Sequence, residues 1–350
     1  MIVGVMEEKH VGGQLRKAAG KLGVAAECFD TTEAYQGNAL IRKMAWHFGR
    51  RPIGLGKFSA KVLAAAKETR PSVILTTGQA SLDESSLKEL GRLGIFRANY
   101  STDDPWNPAH RAGWFLESLR HYDRVFSTRK ANLDQFRRLG IQAEHLPFGY
   151  DPDLYFAPWD SRSHPDGDLD RGERIEDRGS EQDKVFLAGG GDEDRYPLVK
   201  ALQAAGIGMS LWGGYWERAG LRSQGFLDAV GIRREAARCM VSLLLVRRAN
   251  RDGSAMRSFE IPACGACCVA EDTDEHREMF GPDGKAVLYF RTPEELVRRV
   301  KEAFGNPELR QRLRRNAHQA ITGRPNTYVD RLKTMLEKVE EDSRKAAKER

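Results

Sequence analysis

A run of three glycines, Gly189, Gly190 and Gly191, stands in the second half of the chain. The apolar segment 184–188 precedes the run, and Arg195 follows four residues after it. Glycine backbone amides can close around phosphate oxygens, and the start of a following helix adds free N–H groups and the positive end of its dipole. A guanidinium at Arg195 can fork onto a diphosphate. The pattern predicts a diphosphate-binding loop, with a tight turn that binds nothing as the alternative.

Two carboxylates, Asp192 and Asp194, follow the glycines at Asp-x-Asp spacing, which can hold a divalent metal. Acidic residues are also expected at the start of a helix, where they cap free N–H groups and offset the dipole. We favour this second explanation, so no metal site is predicted.

A second pair of carboxylates, Asp252 and Glu260, is eight residues apart. Asp252 opens a loop after a predicted strand, and Glu260 lies near the start of the next predicted helix. There a carboxylate can accept hydrogen bonds from ribose or sugar hydroxyls. The alternative for Glu260 is a carboxylate that only offsets the helix dipole. Arg257 is assigned to the same site, with a surface ion pair as its alternative.

Two further strand ends carry candidate residues. Asp103 and Asp104 follow one predicted strand and precede Pro105, so a catalytic role and an Asx-type turn are equally compatible with them. Trp212 and Gly213 end another predicted strand and are assigned to the ligand site. Trp212 is expected as core or cleft wall rather than as a platform for base stacking.

The five cysteines are an odd number, and Cys264, Cys267 and Cys268 lie within five residues. No second Cys or His pair stands at metal-ligand spacing, so buried, reduced thiols are predicted rather than disulfides or zinc. Reduced thiols fit a cytoplasmic protein. The first residues agree with that location, because their apolar residues precede acidic ones, the reverse of a secretory signal.

Short apolar runs alternate with amphipathic stretches of helical period, which is typical of parallel sheets covered by helices. Strands are predicted at 2–6, 24–29, 73–77, 96–101, 124–127, 144–147, 184–188, 208–212, 241–246, 266–269 and 286–289. Helices are predicted at 12–22, 58–69, 84–93, 108–121, 130–139, 194–205, 231–239, 256–264, 274–280, 293–304, 307–321 and 327–347. The fold class is therefore α/β, with two doubly wound domains that face a cleft.

The chain has 350 residues, which predicts two domains at about 150 residues per domain. Residues 160–183 are charged and almost free of apolar side chains, as in a flexible linker. We expect a first domain over 1–159, a second domain over 184–326 and a carboxyl-terminal helix over 327–350 that crosses back to the first.

The formal net charge is +6, and 40% of the residues are hydrophobic. The chain has no apolar run near the roughly 18 residues that cross a bilayer, so an integral membrane protein is excluded. The three parts 1–159, 160–183 and 184–350 carry +5, −5 and +6. Two basic lobes suit anionic ligands, although no arginine-aromatic ladder predicts a nucleic-acid partner. The basic stretch 47–58 predicts at most a peripheral membrane contact, with an ordinary basic loop as the alternative.

One string of residues in the carboxyl half is specific enough to suggest a family. It comprises Arg257-Ser258-Phe259-Glu260-Ile261-Pro262-Ala263-Cys264-Gly265, Glu271-Asp272, Phe280-Gly281, Gly284, Tyr289, Glu294-Glu295-Leu296, Asn326-Thr327-Tyr328 and Arg331. The string resembles group 1 glycosyltransferases of the GT-B type, in particular those similar to the spore-maturation protein CgeB. The resemblance extends over most of the chain except the linker and about residues 35–57.

The resemblance implies transfer of a sugar from a nucleotide diphosphate donor, with the donor in the second domain and the acceptor mainly in the first. Related transferases line the donor site with Glu-x7-Glu, whose second member holds the ribose. Asp252 and Glu260 match this spacing, with Asp in place of the first Glu. Many relatives have a His near the transferring sugar, where this chain has Asp103 and Asp104, the residues assigned here as catalytic.

These patterns predict a metal-independent glycosyltransferase without a cofactor, whose substrates are a nucleotide sugar and an unidentified acceptor. The glycine amides of 189–191, a helix start, and Arg195 or Arg257 are expected to stabilise the departing diphosphate. Two alternatives stay open, a nucleotide-sugar epimerase of the same architecture and a non-catalytic binder of nucleotide sugars or nucleic acid.

Overall fold

The computed structural model describes residues 1–159 and 182–348. The chain forms two compact units. The first comprises Met1–Phe148, Ala249–Asp252 and Tyr328–Arg350, and the second comprises Gly149–Arg248 and Gly253–Thr327.

The first unit is built on a sheet of six parallel strands. They are β1 (Ile2–Gly4), β2 (Cys28–Asp30), β3 (Val73–Thr77), β4 (Phe96–Ser101), β5 (Arg124–Ser127) and β6 (Gln142–His145). Their order is β2-β1-β3-β4-β5-β6, with Ile2 aligned with both Cys28 and Leu75. The order reverses between β1 and β3, and open α/β sheets bind ligands at the carboxyl ends of the strands near such a point.

Helices cover this sheet. They are α1 (Val11–Lys21), α2 (Ala39–Gly49), α3 (Leu55–Thr69), α4 (Glu84–Arg92), α5 (Gly113–Leu119) and α6 (Leu133–Arg138). Phe58, Val62 and Ala66 recur at a spacing of four on α3 and are buried in the core of the unit. The central strands are buried along their length because both faces of a parallel sheet are covered.

The second unit repeats the strand order with five parallel strands. They are β7 (Gln182–Ala188), β8 (Gly208–Trp212), β9 (Cys239–Leu244), β10 (Cys268–Glu271) and β11 (Leu288–Phe290). The helices are α7 (Tyr196–Ala204), α8 (Ala229–Arg238), α9 (Arg257–Ala263), α10 (Asp274–Phe280), α11 (Pro293–Phe304) and α12 (Pro307–Thr322). The order is β11-β10-β9-β7-β8, so the reversal lies between β7 and β9.

The last helix, α13 (Tyr328–Lys348), belongs to the first unit, where it packs on α1. Its apolar stripe is buried there, including Leu332 and Met335. Arg331 donates to the carbonyl oxygens of Pro147 and Phe148, at 2.8 Å and 2.9 Å. Burial of the stripe and these hydrogen bonds fix the helix on this unit.

The boundary of the first unit differs from the expected 159. Tyr150 N donates to Asn326 O at 3.1 Å, and Arg233 donates to Leu154 O at 2.7 Å. These bonds join residues 149–159 to the second unit. Most of the expected linker, residues 160–181, lies outside the described residues.

Each predicted strand overlaps an observed one. Helix α2 lies outside the predicted helices and overlaps the basic stretch 47–58, for which a peripheral membrane contact or an ordinary basic loop is expected. Within residues 1–159 and 182–348, every helix is too short or too polar to cross a bilayer.

Candidate functional site

The glycine run after β7 packs closely against the loop after β8. Gly189 N donates to Trp212 O, and Gly191 N donates to Gly214 O, both at 2.9 Å. A Cβ on Gly213 would lie 2.2 Å from Gly189 O, so this contact requires glycine. Two of the three amides expected to bind a diphosphate therefore bond to protein carbonyls. The close turn accounts for these glycines, which corrects the expectation of a three-amide phosphate loop.

Arg195 is buried and precedes α7 as its N-cap rather than lying within the first helical turn. It donates to Gly190 O at 2.8 Å and to Leu245 O at 3.4 Å, and its Nε lies 3.8 Å from the carboxylate of Asp192. The side chain thus fastens the loops after β7 and β9, where the strand order reverses. Its guanidinium is thus engaged by the loops themselves, and the assignment of Arg195 to the diphosphate stays a prediction.

A different arginine lies beside the glycine run with part of its side chain in solvent. Arg247 follows β9, and its Nη2 lies 3.9 Å from the position of a Cβ built on Gly190. Its Nε lies 3.9 Å from Asp192 Oδ2, whereas Arg248 pairs with Glu271 at 3.0 Å. Sequence reasoning missed Arg247, although two consecutive arginines directly after a predicted strand were a usable signal. Arg247 is therefore a further candidate cation for a diphosphate.

Arg257 and Glu260 form an ion pair at the start of α9. They lie three residues apart on the same face of the helix, which brings their side chains together. Burial, followed by the negative charge of Glu260, raises the pKa of Tyr155, so the hydroxyl of Tyr155 keeps its proton beside this carboxylate. Tyr155 was missed because residues 149–159 were assigned to the other domain.

Asp252 lies in the first unit, whereas Glu260 lies in the second. Its carboxylate pairs with Arg129, and both side chains are buried. A buried carboxylate that neutralises a buried guanidinium holds the loop of residues 249–252 in the first unit. The assignment of Asp252 to the donor site stays a prediction.

Asp104 is fully engaged within the first unit. Its carboxylate accepts from Arg251 at 2.7 Å and 3.0 Å, from the Asn132 amide at 2.8 Å and from Trp106 N at 2.9 Å. The bond to Trp106, two residues on, makes the Asx-type turn. Asp104 therefore makes the Asx-type turn that was its alternative interpretation, and its catalytic role stays a prediction. Asp103 keeps its side chain partly in solvent.

The indole N–H of Trp212 donates to Ser210 Oγ at 2.8 Å. The ring is half-buried, and its polar atom serves a bond inside the unit. Trp212 is placed beside the glycine run as a wall residue rather than as a platform for a base.

All five cysteines are free thiols. Burial raises the pKa of Cys264 and of Cys268 and keeps these thiols protonated. Among the residues that the structure describes, no group of three or more His, Cys, Asp or Glu is arranged to hold a metal.

Comparison with known proteins gives a family for part of the chain. Residues 195–337 match the family described as glycosyl transferase-like. A search by sequence among curated proteins finds no match.

Solved structures resemble the fold over nearly the whole chain. The sucrose-phosphate synthase of Thermosynechococcus elongatus has a TM-score of 0.67 at 14% identity and covers 96% of this chain and 94% of its own. A glycosyltransferase from Rickettsia africae has a TM-score of 0.63 at 12% identity, covering 97% of both chains. The Anabaena protein HepE, solved with UDP, has a TM-score of 0.59 at 14% identity, covering 97% and 92%. These neighbours confirm the predicted fold class, two α/β units with parallel sheets, as in GT-B structures.

Proposed function

We propose that this chain, a GT-B glycosyltransferase, transfers a sugar from a nucleotide diphosphate donor bound by its second unit, and that it belongs to the CgeB-like group. The match over residues 195–337 bears out the predicted class of enzyme. The observation that carries the donor site is the ion pair of the buried Glu260 with the partly exposed Arg257 at the start of α9, inside the matched segment, with Tyr155 beside the carboxylate. The free thiols support the proposed cytoplasmic location.

Each group in the proposed site has a distinct role. Glu260 accepts hydrogen bonds from ribose hydroxyls, with its carboxylate held in place by Arg257 and Tyr155. Arg247 faces the diphosphate, whose negative charge grows as its oxygen separates from the anomeric carbon. A fixed guanidinium stabilises that charge in the transition state more than in the bound donor, which accelerates the transfer.

The function is tested by incubating the protein with a panel of nucleotide sugars and candidate acceptors. UDP-sugars come first, since HepE was solved with UDP and with UDP-glucose. We expect free nucleoside diphosphate together with a glycosylated acceptor. An isomerised donor without transfer would identify an epimerase, and binding without either product would identify a non-catalytic binder.

Replacing Arg247 by glutamine is expected to weaken UDP binding about tenfold, because one cation facing the diphosphate is lost. Arg238→Gln is the matched control. Arg238 is also an exposed arginine 3.9 Å from a carboxylate, that of Glu235, but it ends α8 just before β9 begins. Calorimetric titration with UDP should separate the two variants. Equal affinities for both variants would remove Arg247 from the site.

Transfer activity is expected to persist in EDTA, because arginine and backbone N–H groups balance the charge of the leaving diphosphate. Product formation with and without chelator is the measurement. Loss of activity that Mn²⁺ or Mg²⁺ restores would instead support a metal at Asp192 and Asp194.

A further inference from the structure

Helix α2 (Ala39–Gly49) has no buried residue. Leu40, Ile41, Met44 and Phe48 recur at the spacing that places them along one face of a helix. Their exposed fractions are 68%, 52%, 49% and 85%. Four large apolar side chains on one exposed face form a patch that ordinary surfaces rarely carry.

The rest of the helix is attached to the first unit. Trp46, on the opposite side of the helix, packs at 6.3 Å from the ring of Tyr35, which contacts the core. Arg50 ends the helix and donates to Pro108 O at 2.7 Å, while the indole of Trp114 donates to Arg50 O at 3.1 Å. Trp46 is itself 52% exposed, so the helix is attached by this ring contact and by Arg50 at its end, and its apolar face stays in solvent.

The surrounding sequence is strongly basic. Residues 34–67 contain seven Lys and Arg and no Asp or Glu, a charge of +7. Lys61 and Lys67 pair with carboxylates outside this segment. The cations next to or on the helix are Arg42, Lys43, Arg50 and Arg51. The apolar face is thus flanked by positive charge that no acidic residue of its own segment offsets.

We propose that the outward face of α2 docks onto the surface of an anionic lipid bilayer. An amphipathic helix with apolar residues on one side and cations beside them lies in the plane of the membrane interface, where acyl chains and anionic headgroups satisfy both. With 11 residues, α2 is far shorter than the roughly 20 residues that span a bilayer, so it lies on the membrane.

The positive charge beside α2 disfavours a second copy of the chain as the partner of its apolar face. A symmetric dimer would bring together two sets of the four cations on or next to the helix, and like charges at an interface oppose association. The acidic stretch 160–183 offers carboxylates but only Leu169 and Ile175 as aliphatic residues, too few to cover four large apolar side chains. An anionic bilayer supplies both the charge and the apolar layer.

The test is co-sedimentation of the full chain with vesicles of phosphatidylcholine alone or mixed with phosphatidylglycerol. We expect binding to the mixed vesicles only, and its loss as the salt concentration is raised. Phe48→Glu and Met44→Glu should each reduce the bound fraction about tenfold or more, because a carboxylate replaces an inserted apolar group. Lys43→Gln should weaken binding to the mixed vesicles without creating binding to phosphatidylcholine.

Val230→Glu is the matched control, since Val230 is an apolar residue of α8 with 44% exposure. It should bind vesicles like the unmodified chain. Because all four replaced side chains are exposed, unchanged thermal unfolding should show that the variants remain folded. Equal sedimentation of Phe48→Glu and Val230→Glu would overturn the proposal. A second outcome would also overturn it. The unmodified chain would bind no vesicle, light scattering would show that it forms a dimer, and Phe48→Glu would dissociate that dimer. Neither outcome depends on glycosyl transfer.

Discussion

Replacing Asp104 by asparagine is expected to lower the free energy of unfolding of the first unit by about 2–3 kcal/mol. The carboxylate is 2% exposed and accepts four hydrogen bonds, two of them from Arg251. An amide of the same shape removes the charge and turns one acceptor into a donor that faces another donor. Arg251 keeps 39% of its side chain in solvent, which limits the cost to less than that of a fully buried pair.

Native-state hydrogen exchange of β4 and β5 is the measurement, with Asp103→Asn as the control from the neighbouring position. In the control, the free energy of opening measured by hydrogen exchange should stay within about 0.5 kcal/mol of the original value, because substitutions of partly exposed side chains usually have small effects. Activity separates the structural from the catalytic role. If Asp104→Asn keeps full protection but abolishes transfer, Asp104 acts as a catalytic residue after all. If Asp103→Asn abolishes transfer with protection intact, the catalytic assignment belongs to Asp103 alone.

The sequence predicted the sheets well because local patterns determine them. Val73–Thr77, Phe96–Ser101 and Gly208–Trp212 begin and end at the predicted residues, since turn residues bound each of them. In Phe96–Ser101 apolar and polar residues also alternate, as in a strand. Gly23 and Gly94 end their helices with φ of 66° and 75°, a conformation that favours glycine.

The roles of charged residues depended instead on partners far along the chain. Asp104 pairs with Arg251, 147 residues away, and Asp252 pairs with Arg129, 123 residues away. The spacing of Asp252 and Glu260 could not reveal that the loop containing Asp252 is held in the other unit. Arg195 likewise satisfies carbonyls of two strand-end loops, an arrangement that only the packed sheet creates.

Helix α2 was missed for a different reason. Its apolar residues face outward, so the periodicity does not match a helix that packs on a core, and Gly49, Pro52 and Gly54 close behind it suggested a loop. The family resemblance also did not cover about residues 35–57. Helices are predicted from apolar residues that would face a core, so this pattern predicts no helix at Ala39–Gly49.

Glu260→Gln is expected to lower kcat/KM for the donor by roughly 10-fold to 100-fold, since mismatched hydrogen bonds to a buried group cost about 1–3 kcal/mol. A carboxylate accepts from both ribose hydroxyls, whereas an amide presents one donor. The ion pair with Arg257 is also lost, but Arg257 keeps a third of its side chain in solvent, so the variant should fold. Tyr155→Phe is the control that removes the hydroxyl beside Glu260 and keeps the charge of the carboxylate, and its effect on kcat/KM should be smaller.

Ribose recognition is isolated by titrating both proteins with UDP and with 2′,3′-dideoxy-UDP. If Glu260 holds the ribose, the unmodified protein should bind the dideoxy compound about as weakly as Glu260→Gln binds UDP. Glu260→Gln should then bind the dideoxy compound only slightly more weakly than it binds UDP, because the substitution and the removal of the hydroxyls delete the same interaction. If the substitution and the removal of the hydroxyls lower the binding free energy additively, Glu260 acts only through the structure of α9. In that case the carboxylate holds Arg257 and Tyr155 in place, and the ribose is bound by other residues of the second unit.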